Sequence, residues 1–92
     1  MIAVYSGERA WRLAIEQALR AHRVAVRSAS RPAELAKCLA DGVVRVVVVG
    51  AGAEDRAGAG AAITSQVLLD TTPGESTESV VRRALALVSQ LV

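Results

Sequence analysis

Four short runs rich in Val, Ile, Leu and Tyr recur along the chain at nearly even spacing: Ile2–Tyr5, Val24–Arg27, Val46–Val49 and Val67–Leu69. Their first residues lie 22, 22 and 21 positions apart. Between the first two lies a segment with helical periodicity at 8–21, between the second and third another at about 31–41, and after the fourth a third at about 77–91. Strands alternating with helices predict βαβ units, and hence a parallel sheet with right-handed crossovers. The stretch Val43-Val44-Arg45-Val46-Val47-Val48-Val49 does not alternate, which is how a central strand covered on both faces reads.

On a helical wheel centred on Trp11, Ala14, Ile15, Ala18, Leu19 and His22 share one side, while Arg9, Arg12, Glu16 and Arg20 take the other. Arg12, Glu16 and Arg20 are spaced for an i,i+4 ladder on the wet face. The second helix is announced by Ser30 as cap, Pro32 in its first turn and Gly42 just past its end. The third follows Pro73-Gly74, with Ser76 or Thr77 as cap, and carries Val81, Ala84, Leu85, Val88, Leu91 and Val92 at helical spacing. The third crossover differs from the others. Gly50 to Gly60 holds four Gly in eleven residues and predicts a loop with a short helix near Ala57–Ile63.

Ninety-two residues fit one small domain, 1–92, with no linker or composition break inside it. The apolar fraction of 52% excludes disorder by composition. Ala supplies 18 positions and Val 14, with no Phe, so the core is built of small side chains and brings helices close to the sheet. One cysteine, Cys38, excludes an internal disulfide and a cysteine-based zinc site. No apolar run approaches a membrane span and no basic leader follows Met1, so the expected location is cytoplasmic, without membrane contact. Net charge is +2. Residues 1–31 hold six Arg and two Glu, against five basic and seven acidic residues in 32–92. That asymmetry is too small for a nucleic-acid face, and none is predicted.

Three stretches resemble a known family. Ile2-Ala-Val-Tyr-Ser-Gly-Glu8 is a first strand running into a short polar turn; Val46-Val-Val-Val-Gly50 is an apolar third strand; Val67-Leu-Leu-Asp-Thr-Thr-Pro73 precedes an amphipathic closing helix. Together they resemble the receiver domain of bacterial response regulators, a flavodoxin-like doubly wound fold. The resemblance implies a three-layer α/β sandwich with a four-stranded parallel sheet in order 2-1-3-4 and three main helices, about one βα unit shorter than a receiver. It also implies that receiver chemistry is lost. The acidic pair after the first strand is Ser6-Gly7, with only Glu8 left to match. The phospho-acceptor position is Gly50, or Ala51 if the strand is one residue longer. The Lys before the Pro is Thr72. Without those carboxylates, nucleophile and amine, Mg²⁺ binding and phosphoryl transfer have no groups to act through.

Other chemistry finds little support. A dinucleotide fingerprint would need Gly at 55, which is Asp, and a P-loop would need Lys after Gly58, where Ala59 stands. His22 ends the first helix, at the sheet edge opposite Ser6, Asp55 and Asp70, so no Ser-His-Asp arrangement forms. It reads as a packed or capping residue. Cys38 reads as a buried thiol beside Leu35 and Leu39. Trp11 reads as a core anchor, and Glu8, Glu54, Asp55 and Asp70 as scattered surface carboxylates.

The sequence thus predicts no enzyme, no metal and no cofactor. It predicts a non-phosphorylatable receiver-like regulatory or protein-interaction module of a bacterial signalling or transcription regulator. The alternative is a small-ligand or nucleotide sensor lined by Ser6, Gly7, Gly50, Gly52, Thr71 and Thr72 at the carboxyl edge of the sheet. The partner is expected to be protein, a second copy or a fused effector domain. Leu13, Val80, Leu87 and Leu91 would reach the rim of their helices and form the interface together with the uncovered edge of the neighbouring fourth strand, because the apolar stripe of the last helix exceeds the arc a sheet contact needs.

Overall fold

The computed structural model describes residues 1–40, 42–50, 67–71 and 74–90. The elements are β1 (Ile2–Tyr5), α1 (Arg9–Ala21), β2 (Val26–Ala29), α2 (Pro32–Leu39), β3 (Val46–Val49), β4 (Val67–Asp70) and α3 (Thr77–Gln90). The four strands form one parallel sheet in order β2-β1-β3-β4, as expected, leaving β2 and β4 at its edges. Register is set by Ile2 opposite both Val26 and Val46, and by Val46 opposite Val67.

Both central strands are buried along their whole length. Alternate side chains serve opposite faces. Ile2, Val4, Val46, Val48 and Leu69 pack beneath α1 and α3 with Ile15, Leu19, Val80, Val81 and Ala84. Ala3, Tyr5, Val47, Val49 and Ala29 face the other way, onto Leu35 of α2 and Val44. Among the described residues the result is three layers, with α1 and α3 on one side of the sheet and α2 on the other. The predicted loop and short helix between Gly50 and Ile63 lie, apart from Gly50 itself, outside the described residues.

Local differences from expectation have identifiable causes. The second strand begins two residues late, at Val26, because the chain first closes α1. Arg23 N–H donates to Arg20 O at 2.9 Å and Val24 N–H to Leu19 O at 3.2 Å, with Arg23 at φ 62. That is a Schellman ending with Arg in the left-handed position glycine usually takes. Ser30 does not cap α2. The N-cap is Arg31, without a side-chain cap bond, and Ser30 Oγ donates instead to Glu34 Oε1 at 2.7 Å. Gly42 does follow α2 with positive φ, its N–H reaching Leu39 O at 3.2 Å. Ser76 caps α3, its Oγ accepting from Ser79 N–H at 3.2 Å.

Two corrections concern the helix faces. Glu16, expected on the wet face between Arg12 and Arg20, is only 3% exposed, and its Oε1 has no hydrogen-bond partner among the described residues. The buried arc of α1 centres on Ile15 and Leu19 rather than on Trp11, which carries Glu16 inward with them. Val80, expected at the rim of α3, is fully buried. The wide stripe of α3 serves two neighbours, the sheet below and α1 beside it, so its width is no sign of a free face. Leu87 packs partly against the same core, Leu13 stands 38% exposed, and Leu91 lies outside the described residues.

Candidate functional site

In an open parallel sheet the strand ends at the carboxyl edge converge on one surface, and side chains there are held by rigid backbone. Ser6 follows β1, Gly50 follows β3 and Thr71 follows β4, and all three are buried. The structure therefore gathers these three of the predicted lining residues. Gly7 is exposed beside them, while Gly52 and Thr72 lie outside the described residues.

The polar groups gathered at this edge bond to one another. Gly50 N–H donates to Tyr5 O at 2.9 Å, and Ser6 N–H to Ala29 O at 3.1 Å. Thr71 donates twice to Val49 O, from N–H at 3.1 Å and from Oγ1 at 2.7 Å. Ser6 Oγ accepts from Glu8 N–H at 3.1 Å, tightening the turn into α1. Ser6 O accepts from Arg12 Nη1 at 2.9 Å, so Arg12 serves this turn instead of the expected ladder with Glu16. Hydroxyls and amides committed in this way offer few free donors to an incoming phosphate.

Above Gly50 lies Trp11, from the first turn of α1. A Cβ placed on Gly50 would fall within the van der Waals envelope of Trp11 Cζ3, Cη2 and Cε3. The indole thus fills the space into which a side chain at the end of β3 would project. Trp11 is half-buried and packs against the core of the α1–α3 face, as a core anchor should. Its particular use, roofing a glycine 39 positions away, required coordinates to see.

Next to this edge, Glu75 and Arg83 fasten the β4–α3 connection. Arg83 Nη1 reaches Glu75 Oε1 at 2.7 Å and Oε2 at 2.8 Å, and Ser79 Oγ donates to Glu75 Oε2 at 2.8 Å. Arg83 Nη2 also donates to Asp70 O at 3.3 Å. Sequence reading missed this clamp; an acidic residue one position before a Ser cap, with Arg eight residues on, was its only signal. Among the described residues, no group of three or more His, Cys, Asp or Glu could hold a metal ion. Glu8 and Asp70 are exposed at this edge. Glu54 and Asp55 lie outside the described residues.

Glu34, in the first turn of α2, has its carboxyl held below the ordinary value of 4.5, chiefly by the Ser30 hydroxyl and further by Arg31 and Arg12. His22 is the exposed C-cap of α1, next to the start of β2 and so at the edge opposite Ser6. It borders a groove of about 550 Å³ between α1 and α3, floored by Ala18, Val81 and Leu85 and rimmed by Glu78 and Arg82, which pair at 3.1 Å. Cys38 is half-buried, its Sγ donating to Ser28 O at 3.7 Å.

No family model, curated protein or solved structure matches this chain. Among the described residues, no helix is long and apolar enough to cross a membrane. What the structure does establish is a small α/β domain with the flavodoxin-like parallel order 2-1-3-4.

Proposed function

We propose that this chain is a receiver-like regulatory module that acts through protein contact and takes no phosphoryl group. The observation that carries the reading is the Trp11–Gly50 contact. In the receiver arrangement the end of the third strand presents the carboxylate that accepts phosphate. Here that position has no side chain, and the volume one would need is occupied by an indole. A nucleophile must stand free to be attacked in line, with cations beside it to hold the developing charge. Around Gly50 the buried described groups are hydroxyls, amides and carbonyls, most of them bonded to one another. The Arg12 guanidinium beside them is bonded to Ser6 O, and the Glu8 and Asp70 carboxylates are exposed.

The same bonding weighs against the alternative of a small-ligand or nucleotide sensor at this edge. Ser6 and Thr71 are buried with their hydroxyls engaged, so a ligand would have to break protein hydrogen bonds to make its own. The order of the sheet, and helices on both of its faces among the described residues, support the fold-level half of the comparison. Fold alone does not carry function, and the filled site is what distinguishes this chain from a phosphate acceptor. As a component of a bacterial signalling or transcription regulator, such a module would transmit by docking on a partner surface. The direct test is incubation with acetyl phosphate and Mg²⁺ followed by intact mass measurement. The reading expects unmodified protein; a stable acyl-phosphate adduct would overturn it.

A further inference from the structure

The two edges of the sheet are finished differently. On β2, Ile2 N–H donates to Ala25 O and Ser6 N–H to Ala29 O, so Ala25, Arg27 and Ala29 face β1 and the outward backbone belongs to Val26 and Ser28. Helix α2 closes over that edge: Cys38 Sγ reaches the outward Ser28 O at 3.7 Å, and Arg27 Nη1 donates to Cys38 O at 2.9 Å. On β4, Val67 N–H donates to Arg45 O at 2.9 Å and Thr71 N–H to Val49 O at 3.1 Å, which turns the backbone of Leu68 and Asp70 outward. Arg83 takes the outward Asp70 O. Among the described residues, nothing meets the outward N–H and C=O of Leu68, and its side chain is 44% exposed.

An open edge carrying an exposed Leu, with no Pro or Lys to blunt it, is a template for another strand. We propose that β4 pairs with β4 of a second copy of this chain, antiparallel across a two-fold axis, joining two four-stranded sheets into one. Charge and chemistry favour a second copy in this direction. Pairing Leu68 with Leu68 of the partner subunit brings the two exposed apolar side chains together and satisfies both outward amides at once. It also sets the two Asp70 four residue steps apart, ~13 Å at ~3.3 Å per residue. A parallel arrangement would instead place Asp70 beside its own copy, which like charges oppose.

This inference rests on the reading of the chain as a contact module and adds where the contact is made. It narrows the expected interface from the α3 stripe with the fourth strand, where Val80 is buried, to the edge of the sheet alone.

The test combines sedimentation of the full chain from low to several hundred micromolar with amide hydrogen exchange over the same range. The expected result is a 9.6 kDa species giving way to one of twice the mass. Slowing of Leu68 N–H exchange by tenfold or more should accompany it, while Val67 N–H, already bonded to Arg45, stays constant. Leu68→Lys should hold the chain monomeric throughout, with its circular dichroism unchanged because the site is exposed. If that variant fails to fold, Leu68 exchange in the natural chain decides alone. A monomer at every concentration overturns the pairing, as does a dimer in which Leu68 N–H exchange does not slow, or one that survives Leu68→Lys. None of these outcomes alters the acetyl phosphate result, so the two readings fail separately.

Discussion

The indole of Trp11 occupies the position that a side chain on Gly50 would need, so helix α1 and the end of strand β3 are sterically coupled through these two residues. Gly50→Ala should therefore destabilise the domain by about 1–3 kcal/mol, the usual range for forcing a methyl into filled space. Urea unfolding followed by the emission of the one Trp measures it directly. In the double variant Trp11→Ala/Gly50→Ala the loss should fall short of the sum of the singles by about 1 kcal/mol or more. Additive losses would mean that the ring moves aside freely.

Glu16 is buried, and among the described residues its Oε1 meets no hydrogen-bond donor, an arrangement that costs the fold the desolvation of that oxygen. Replacing it with Met keeps its length and helix propensity while removing the unpaired acceptor, and should stabilise by about 1–3 kcal/mol. Thermal or urea denaturation checks the sign. A loss of stability in Glu16→Met would show that the carboxylate has a partner that matters.

Arg23 holds φ 62 at the end of α1, where a Cβ is strained and glycine is not. Arg23→Gly should stabilise by about 0.5–1 kcal/mol, the relief of strain being partly offset by greater freedom of the unfolded chain. Arg23→Ala, which keeps the Cβ, should change little. The comparison of the two separates backbone strain from loss of the guanidinium.

Glu34 supplies the pH dependence. Its folded value lies below 4.5 because the Ser30 hydroxyl donates to the carboxylate. A depressed folded value contributes stability above the unfolded value, and that contribution is lost as pH falls through the folded one. Ser30→Ala should move the Glu34 titration, followed by NMR, up toward 4.5 and remove this part of the acid sensitivity. An unchanged titration would assign the depression to Arg31 and Arg12 instead.

Much of the fold was readable before any coordinates, because each strand run was bounded by a helical segment and three of the four runs start where the strands start. The second did not, since Val24 belongs to the α1 ending and Arg at a position glycine normally fills gives no warning of it. Helix faces were less legible. A wheel shows periodicity but not which direction is inward: centring α1 on Trp11 places Glu16 outside, and centring α3 on Val81 places Val80 at the rim. Both errors share one cause: α1 and α3 pack against each other as well as on the sheet, so their buried arcs are wider than one contact and rotated from the obvious stripe. At the carboxyl edge the loss of a nucleophile at Gly50 was plain in the sequence. That Trp11 fills the place was not, because a contact between side chain and backbone across two elements leaves no periodic signature.

The decisive measurement is the emission of Trp11 during titration with Mg²⁺ and acetyl phosphate, since this single indole occupies the place that a side chain on Gly50 would take. A module that takes no phosphoryl group should give a spectrum unchanged in intensity and wavelength through millimolar concentrations of both. A saturable change that requires the two together would mean that the edge opens and binds, and would contradict that reading.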